Sequence, residues 1–267
     1  MRAATRLGAA GIAALLLGSA CAPGALRHPY FHREEQPRAV EWGYGGADGP
    51  ARWAELSPSY HLARDGREQS PIDLRGAQRA DLAPLRFDYR PVSVRLVYNG
   101  HSVQEDEDGA SHLVVGEDAY ELKQFHFHSP SEHTVDGRLF EMEVHFVHES
   151  AAGEVAVVSV LVERGAHNAA FDSMWRALPD RDHPTGRSEE RVEVASLLPA
   201  APDYFAYRGS FTTPPCTEGV RWFVMRQPIQ LAPAQLATFR RVIYGNNRPV
   251  QPQNGRAISS SRSAPPR

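Results

Sequence analysis

Two short stretches hold the residues that could do chemistry. "QFHFH" (124–128) places two histidines one residue apart, and "EMEVHFVH" (141–148) brings a third seventeen residues after the second. Both stretches are otherwise rich in apolar strand formers. Histidine fits poorly there, and a buried imidazole costs free energy unless both nitrogens find partners. Side chains alternate faces along a strand, so Gln124, His126 and His128 share one face while Phe125 and Phe127 share the other. On the second stretch Glu141, Glu143, His145 and Val147 share a face. If the two segments pair, one surface carries His126, His128 and His145 with Gln124 and Glu143 beside them. Three neutral imidazoles suit a tetrahedral Zn²⁺ whose fourth position is open, the pattern of a catalytic site. Glutamine and glutamate are residue types that accept a ligand histidine's second N–H and orient its ring. The competing zinc signatures, H-E-x-x-H and paired C-x-x-C, do not occur. On spacing alone, satisfied core histidines remain the alternative to a metal site.

The elements that must position these residues read mostly as strands. Segments 94–99, 112–116, 120–128, 141–148, 154–163 and 219–226 are apolar or alternating and are bounded by Gly, Pro, Asp or Ser clusters. Two short helices are expected. In "AAFDSMWRAL" (169–178), Phe171, Met174, Trp175 and Leu178 follow helical spacing. In "APAQLATFRRVIYG" (232–245), Pro233 suits the first turn, Leu236, Phe239 and Ile243 form a stripe, and Gly245 suits the stop. The 21 prolines and 21 glycines fit a β-rich fold with many turns. No internal repeat is evident.

The chain has 267 residues, 42% hydrophobic and 23% charged, an ordinary globular composition. A formal net charge of −3 gives no argument for nucleic acid as a partner. "MRAATRLGAAGIAALLLGSAC" carries Arg2 and Arg6 before an apolar run too short to span a bilayer, so residues 1–20 read as an export signal. Losing them with their two arginines takes the formal charge from −3 to −5. "LLLGSAC" resembles a bacterial lipoprotein signal, which would make Cys21 the lipidated N-terminus, although a glycine replaces the usual leucine three positions before it. The expected location is therefore the periplasm or the cell envelope, anchored through Cys21, with soluble secretion as the alternative. A Cys21–Cys216 disulfide is the other use an oxidising compartment permits for the two cysteines. Residues 22–40 read as a linker, 41–255 as one domain and 256–267 as a disordered tail.

Five separated stretches sharpen the reading: "WGYG" (42–45), "REQSPIDL" (67–74), "YNGHSVQ" (98–104), "SEHTVDG" (131–137) and "RGSFTTPP" (208–215). Together with the histidine strands, and in this order, they resemble the α-class carbonic anhydrases over 41–255. The resemblance implies a mainly β domain with short helices around a central twisted, mostly antiparallel sheet of about ten strands. Zinc would lie at the floor of a conical cleft. It implies that His126, His128 and His145 are the zinc ligands and that Gln124 and Glu143 support them. Thr212 and Glu132 resemble the hydroxyl–carboxylate pair that orients the zinc-bound hydroxide, with Thr213 on the adjacent rim. His101 occupies the proton-shuttle position, and Tyr44, Asn99 and Gln104 would order the cleft water. Gln104 replaces the commoner asparagine. Val147, Val157, Phe211, Val220 and Trp222 resemble the apolar wall for CO₂, with Phe211 in place of a frequent leucine.

The activity so implied is zinc-dependent, reversible hydration of CO₂ to bicarbonate and a proton, by hydroxide attack and histidine proton shuttling. An ionised Glu132 can only accept, which would leave the Thr212 oxygen to accept from the nucleophile. A histidine near its ordinary pKa of about 6.5 can take and release a proton at neutral pH. The small-molecule partner is CO₂ or bicarbonate, and a homodimer is compatible with the sequence. Ester hydrolysis by the same centre is the alternative enzyme reading. A binding or adhesion module is the non-enzyme reading, against which the retained His126, His128, His145, Thr212, Glu132 and His101 all argue. His133 and His148 read as structural core histidines.

Overall fold

The computed structural model describes residues 40–107, 109–180 and 182–261. The export signal, Cys21 and most of the linker lie outside the described residues.

Fifteen strands occur among the described residues. In chain order they are β1 (Gln78–Arg79), β2 (Leu85–Asp88), β3 (Val92–Tyr98), β4 (Val103–Asp106), β5 (His112–Val115) and β6 (Asp118–His128). There follow β7 (Thr134–Val135), β8 (Arg138–Leu139), β9 (Met142–Ser150), β10 (Val155–Arg164) and β11 (Thr185–Val192). The last are β12 (Tyr204–Ser210), β13 (Glu218–Met225), β14 (Ile229–Leu231) and β15 (Ser259–Ser260). Thirteen form one sheet, whose main path of ten strands runs β1-β15-β12-β13-β10-β9-β6-β4-β3-β11. Only the β1/β15, β10/β13 and β10/β14 pairings are parallel. The remaining pairings are antiparallel, as the resemblance implied.

The centre of the sheet is β6, β9, β10 and β13, and its burial follows from composition. Residues Met142–Glu149 of β9 and Val155–Val162 of β10 are buried without a break, so apolar side chains cover both faces. On one face Phe125, Phe127, Val144 and Phe146 join a large core completed by Trp175, Leu236 and Phe239. On the other, Val147, Val157, Val220 and Trp222 join Phe211, Phe205 and Tyr207 in a second cluster. The histidine face of β6 and β9 looks toward this second cluster.

The two expected helices are shorter than their periodicity suggests. The first is a 3₁₀ turn (Ala169–Phe171) running into an α-helix, Asp172–Arg176. The second spans Pro233–Arg240. Its last turn is given up because the chain bends to bring Gly245, at φ +77°, onto the Ser129 carbonyl with an N–H···O distance of 2.6 Å.

The expectation of a disordered tail from residue 256 is corrected for residues 256–261. Ile258 is buried, and Ser259–Ser260 form β15 between β1 and β12. Backbone pairing, to which serines contribute as well as valines, holds this segment, so its polar composition misleads. Strands β4, β11 and β12 also went unforeseen. "VQED" and "TGRSEERV" are too polar to read as strands, and "YFAYRGS" ends in residues that usually mark turns.

Candidate active site

Antiparallel pairing of β6 with β9 sets His126 directly opposite His145 and His128 opposite Glu143. A register shift between Leu122 and Gln124 restores the phase that turns Gln124, His126 and His128 to one side. One coordinating nitrogen from each of His126, His128 and His145 lies within 4.8 Å of the others.

Each imidazole has its other nitrogen committed to an acceptor. His126 Nδ1 donates to Gln124 Oε1 at 2.8 Å, His128 Nδ1 to the Asn246 carbonyl at 2.7 Å, and His145 Nε2 to Glu143 Oε1 at 2.8 Å. Those acceptors fix the tautomers. The lone pairs of His126 Nε2, His128 Nε2 and His145 Nδ1 are thereby left to converge. His128 Nε2 is buried with no hydrogen-bond partner, a cost that a structural histidine would not carry. Burial lowers all three pKa values, that of His126 well below the ordinary range and that of His128 to about 4. The imidazoles are therefore neutral at neutral pH, as metal ligation requires. This donor set fits Zn²⁺.

Glu143 anchors the back of the site. Its carboxylate accepts from the N–H groups of Glu132 and His133 at 2.8 Å each, from His133 Nδ1 at 2.6 Å, from His145 Nε2 and from Ser159 Oγ. Burial alone would push its carboxyl up, but His133 and His145 hold it well below the usual carboxylate range. The network continues outward. His133 Nε2 meets Tyr207 Oη at 2.6 Å, and Tyr207 Oη meets Ser70 Oγ at 2.9 Å. Because ionised Glu143 can only accept, the direction is set: Tyr207 O–H donates to His133, and Ser70 O–H to Tyr207.

Glu132 is the second buried carboxyl. Its Oε1 accepts the Arg248 N–H at 2.8 Å, and Oε2 lies 3.6 Å from His128 Nε2. Burial pushes this carboxyl up to about 7, against His145, the Arg248 N–H and the Thr212 side chain. Thr212 is thus near enough to act on this carboxyl, whose Oε2 is buried without a hydrogen-bond partner. Thr212 is buried, and Thr213 beside it is half-buried.

The five expected wall residues share one cluster, and Trp222 reaches the histidines, its ring centroid 4.9 Å from that of His145. His101 is half-buried and stacks flat on Trp42, centroids 3.7 Å apart and planes 8° from parallel. Burial lowers its pKa. Tyr44 packs edge-on against Trp42 and Trp53. The other two expected water-ordering residues have further duties. Asn99 Oδ1 accepts the N–H groups of His101 and Ser102, at 3.0 and 2.8 Å, and so shapes the turn that carries His101. Gln104, opposite His126, donates to Asp106. His133 and His148 are both fully buried, and His148 Nε2 lies 2.8 Å from Tyr89 Oη. Cys216 is buried and forms no disulfide among the described residues, Cys21 lying outside them.

Sequence reasoning missed Asn246, Arg248, Tyr207, Ser70 and Ser159. The signal for the first two was "GNNRP" (245–249), a polar run with no apolar period after a helix. Asn246 also accepts the Ser129 N–H at 2.9 Å and donates to the Phe127 carbonyl at 2.9 Å, tying the end of β6 to this segment.

Residues 48–262 match the family described as eukaryotic-type carbonic anhydrase. A carbonic anhydrase from Nostoc sp. is 42% identical over 227 residues, covering 83% of this chain and 86% of that protein. Among solved structures, an α-carbonic anhydrase from Thermovibrio ammonificans in complex with sulfanilamide aligns with a TM-score of 0.80 and 41% identity. That alignment covers 83% of this chain and 99% of its own. Dioscorin complexed with ascorbate aligns with a TM-score of 0.75 and 34% identity, covering 82% of this chain and 97% of its own. The chain belongs to the α-carbonic anhydrase family and is an enzyme of that class, a lyase.

Proposed function

We propose that the protein catalyses reversible hydration of CO₂ to bicarbonate and a proton with Zn²⁺ held by His126, His128 and His145. The observation that carries this reading is the convergence of three imidazole lone pairs whose opposite nitrogens are all engaged. Bound there, zinc would lower the pKa of a water to about 7, a figure for which carbonic anhydrase itself is the standard example, and so supply a nucleophile at neutral pH. Glu143 and Gln124 keep His145 and His126 in the ligating tautomer. In its ionised form Glu132 would accept the Thr212 O–H, which leaves the Thr212 oxygen to accept a hydrogen bond from the nucleophile and to select its orientation. The wall of Val147, Val157, Phe211, Val220 and Trp222 offers apolar contact to CO₂ and excludes water. His101 carries the proton out between the cleft and bulk buffer.

Metal analysis combined with a CO₂-hydration assay on the domain tests the reading. One zinc per chain and hydration activity lost on chelation and restored by zinc are expected. Full hydration activity without metal would overturn it.

Export and anchoring through a lipidated Cys21 form the second part of the proposal, supported by the signal-like sequence of residues 1–21. Cys21→Ser should release the protein into a soluble fraction. An intact mass for an unmodified chain beginning after Ala20 would instead establish simple secretion.

A further inference from the structure

Arg208 on β12 and Arg221 on β13 stand directly opposite each other in antiparallel register. Like charges so placed are destabilising. By strand alternation they lie on the sheet face away from the Trp222 side chain, behind the proposed site. A third guanidinium joins them, with Arg256 Nη1 donating to the Arg208 carbonyl at 3.0 Å. The three arginines line a cavity of about 490 Å³, together with Tyr204, Phe223 and Leu82.

Neutralisation of this charge is incomplete. Arg221 pairs with Asp118 at 2.9 Å. Arg256 spends its donors on backbone carbonyls, those of Gln253, Arg208, Gln69 and Pro252. Glu68, the one carboxylate in the lining, acts on Arg256 through space. Arg208 is exposed at the cavity and has no ion pair among the described residues. A chain with net charge −3 thus gathers three arginines around one cavity with aromatic and aliphatic walls. The volume lies in the range of small-molecule sites, which are mostly apolar with a few convergent polar groups. Guanidinium, a planar fork of donors, suits bidentate recognition of oxyanions, carboxylates and tetrahedral oxyanions alike. Like charges placed in register and only partly neutralised break a local rule, and such violations concentrate at functional sites.

We propose that this cavity is a second binding site, for an organic anion whose carboxylate or sulfonate meets the arginines and whose ring or chain meets Tyr204, Phe223 and Leu82. Bicarbonate satisfies only the first half of that description, since it has no apolar body to place against the walls.

The test titrates the purified protein with 8-anilinonaphthalene-1-sulfonate and follows its fluorescence. Arg208→Glu should weaken binding by roughly tenfold or more, because it replaces an attractive charge with a repulsive one. Ala83→Trp, at an exposed position in the lining, should weaken it similarly by filling the cavity. Arg187→Glu, on the far edge strand β11, should leave it unchanged. CO₂-hydration activity in all three variants should match the parent, which shows them folded and separates this cavity from the catalytic reading. Absence of probe binding to the parent, or binding unchanged in both Arg208→Glu and Ala83→Trp, would overturn the proposal.

Discussion

His126 on β6 and His145 on β9 are direct cross-strand partners, their ring centroids 5.2 Å apart and their planes 87° from parallel. Strand register therefore makes this site. A slip of one residue would carry His145 to the opposite face, into the core that holds Phe146. The acceptors behind them leave different nitrogens free, Nε2 on His126 and Nδ1 on His145.

Removal of one ligand should remove the metal. His128→Ala deletes the nitrogen that is buried without a partner. Zinc measured after dialysis should fall from one per chain to a small fraction, with activity falling alongside. Stoichiometric zinc retained through dialysis would refute the ligand assignment.

Glu143 accepts from His145, one of the proposed zinc ligands, and from His133. Glu143→Ala should raise the rate of chelator-driven zinc loss, or weaken zinc affinity, by roughly 10- to 100-fold. An unchanged rate of loss would mean that Glu143 serves folding alone.

Period-two alternation made the face of His126, His128 and His145 legible in the sequence, along with Gln124 and Glu143, because both strands are long and apolar. Thr212, Glu132 and His101 were legible only through resemblance, since loops and short polar strands carry no period of their own. Asn246 and Arg248 escaped because they act through backbone atoms. The carbonyl of Asn246 orients His128 and the N–H of Arg248 holds Glu132, and no side-chain type announces a backbone contact. The polar strands β4 and β11 escaped for the same reason, since backbone pairing holds them.

Gly209 lies where the Ser70–Tyr207–His133 network passes beside Trp222. A Cβ there would stand 2.1 Å from Ser70 Oγ and 2.9 Å from Trp222 Cδ1. Gly209→Ala should lower Tm and also accelerate zinc loss, because displacing Ser70 and Tyr207 loosens the partners of His133. A variant with parental Tm and parental zinc retention would show that the network has slack.

Glu105 on β4 is buried away from the histidines. Burial pushes its carboxyl up to about 7, with Glu107 and Asp106 adding and the Arg95 N–H opposing. A folded pKa raised above the unfolded value of about 4.5 means that ionisation costs more in the folded state. Stability therefore falls as pH rises from about 4.5 to about 7 and is level above that window. Glu105→Gln keeps an acceptor for Arg95 and removes the titration. Its Tm at pH 8 should exceed the parent's by about 2–4 °C or more, with the difference shrinking toward pH 5. Parallel pH–stability curves for the two proteins would discount the effect.

His101 tests the proton path. Its imidazole stacks on Trp42 at the turn that Asn99 holds, and burial lowers its pKa from the ordinary 6.5. A group so placed can take a proton from cleft water and release it to buffer. Proton export follows the attack on CO₂, so its loss bears on turnover at saturation rather than on capture of substrate. His101→Ala should lower kcat by roughly tenfold or more in weak buffer while leaving kcat/KM nearly intact, in keeping with general acid–base contributions of about 10²–10⁴. Added imidazole should restore much of the loss by carrying the proton itself. Unchanged kcat in weak buffer would make His101 a turn residue and nothing more. A fall in kcat/KM that imidazole does not rescue would instead locate the damage at the histidine cluster.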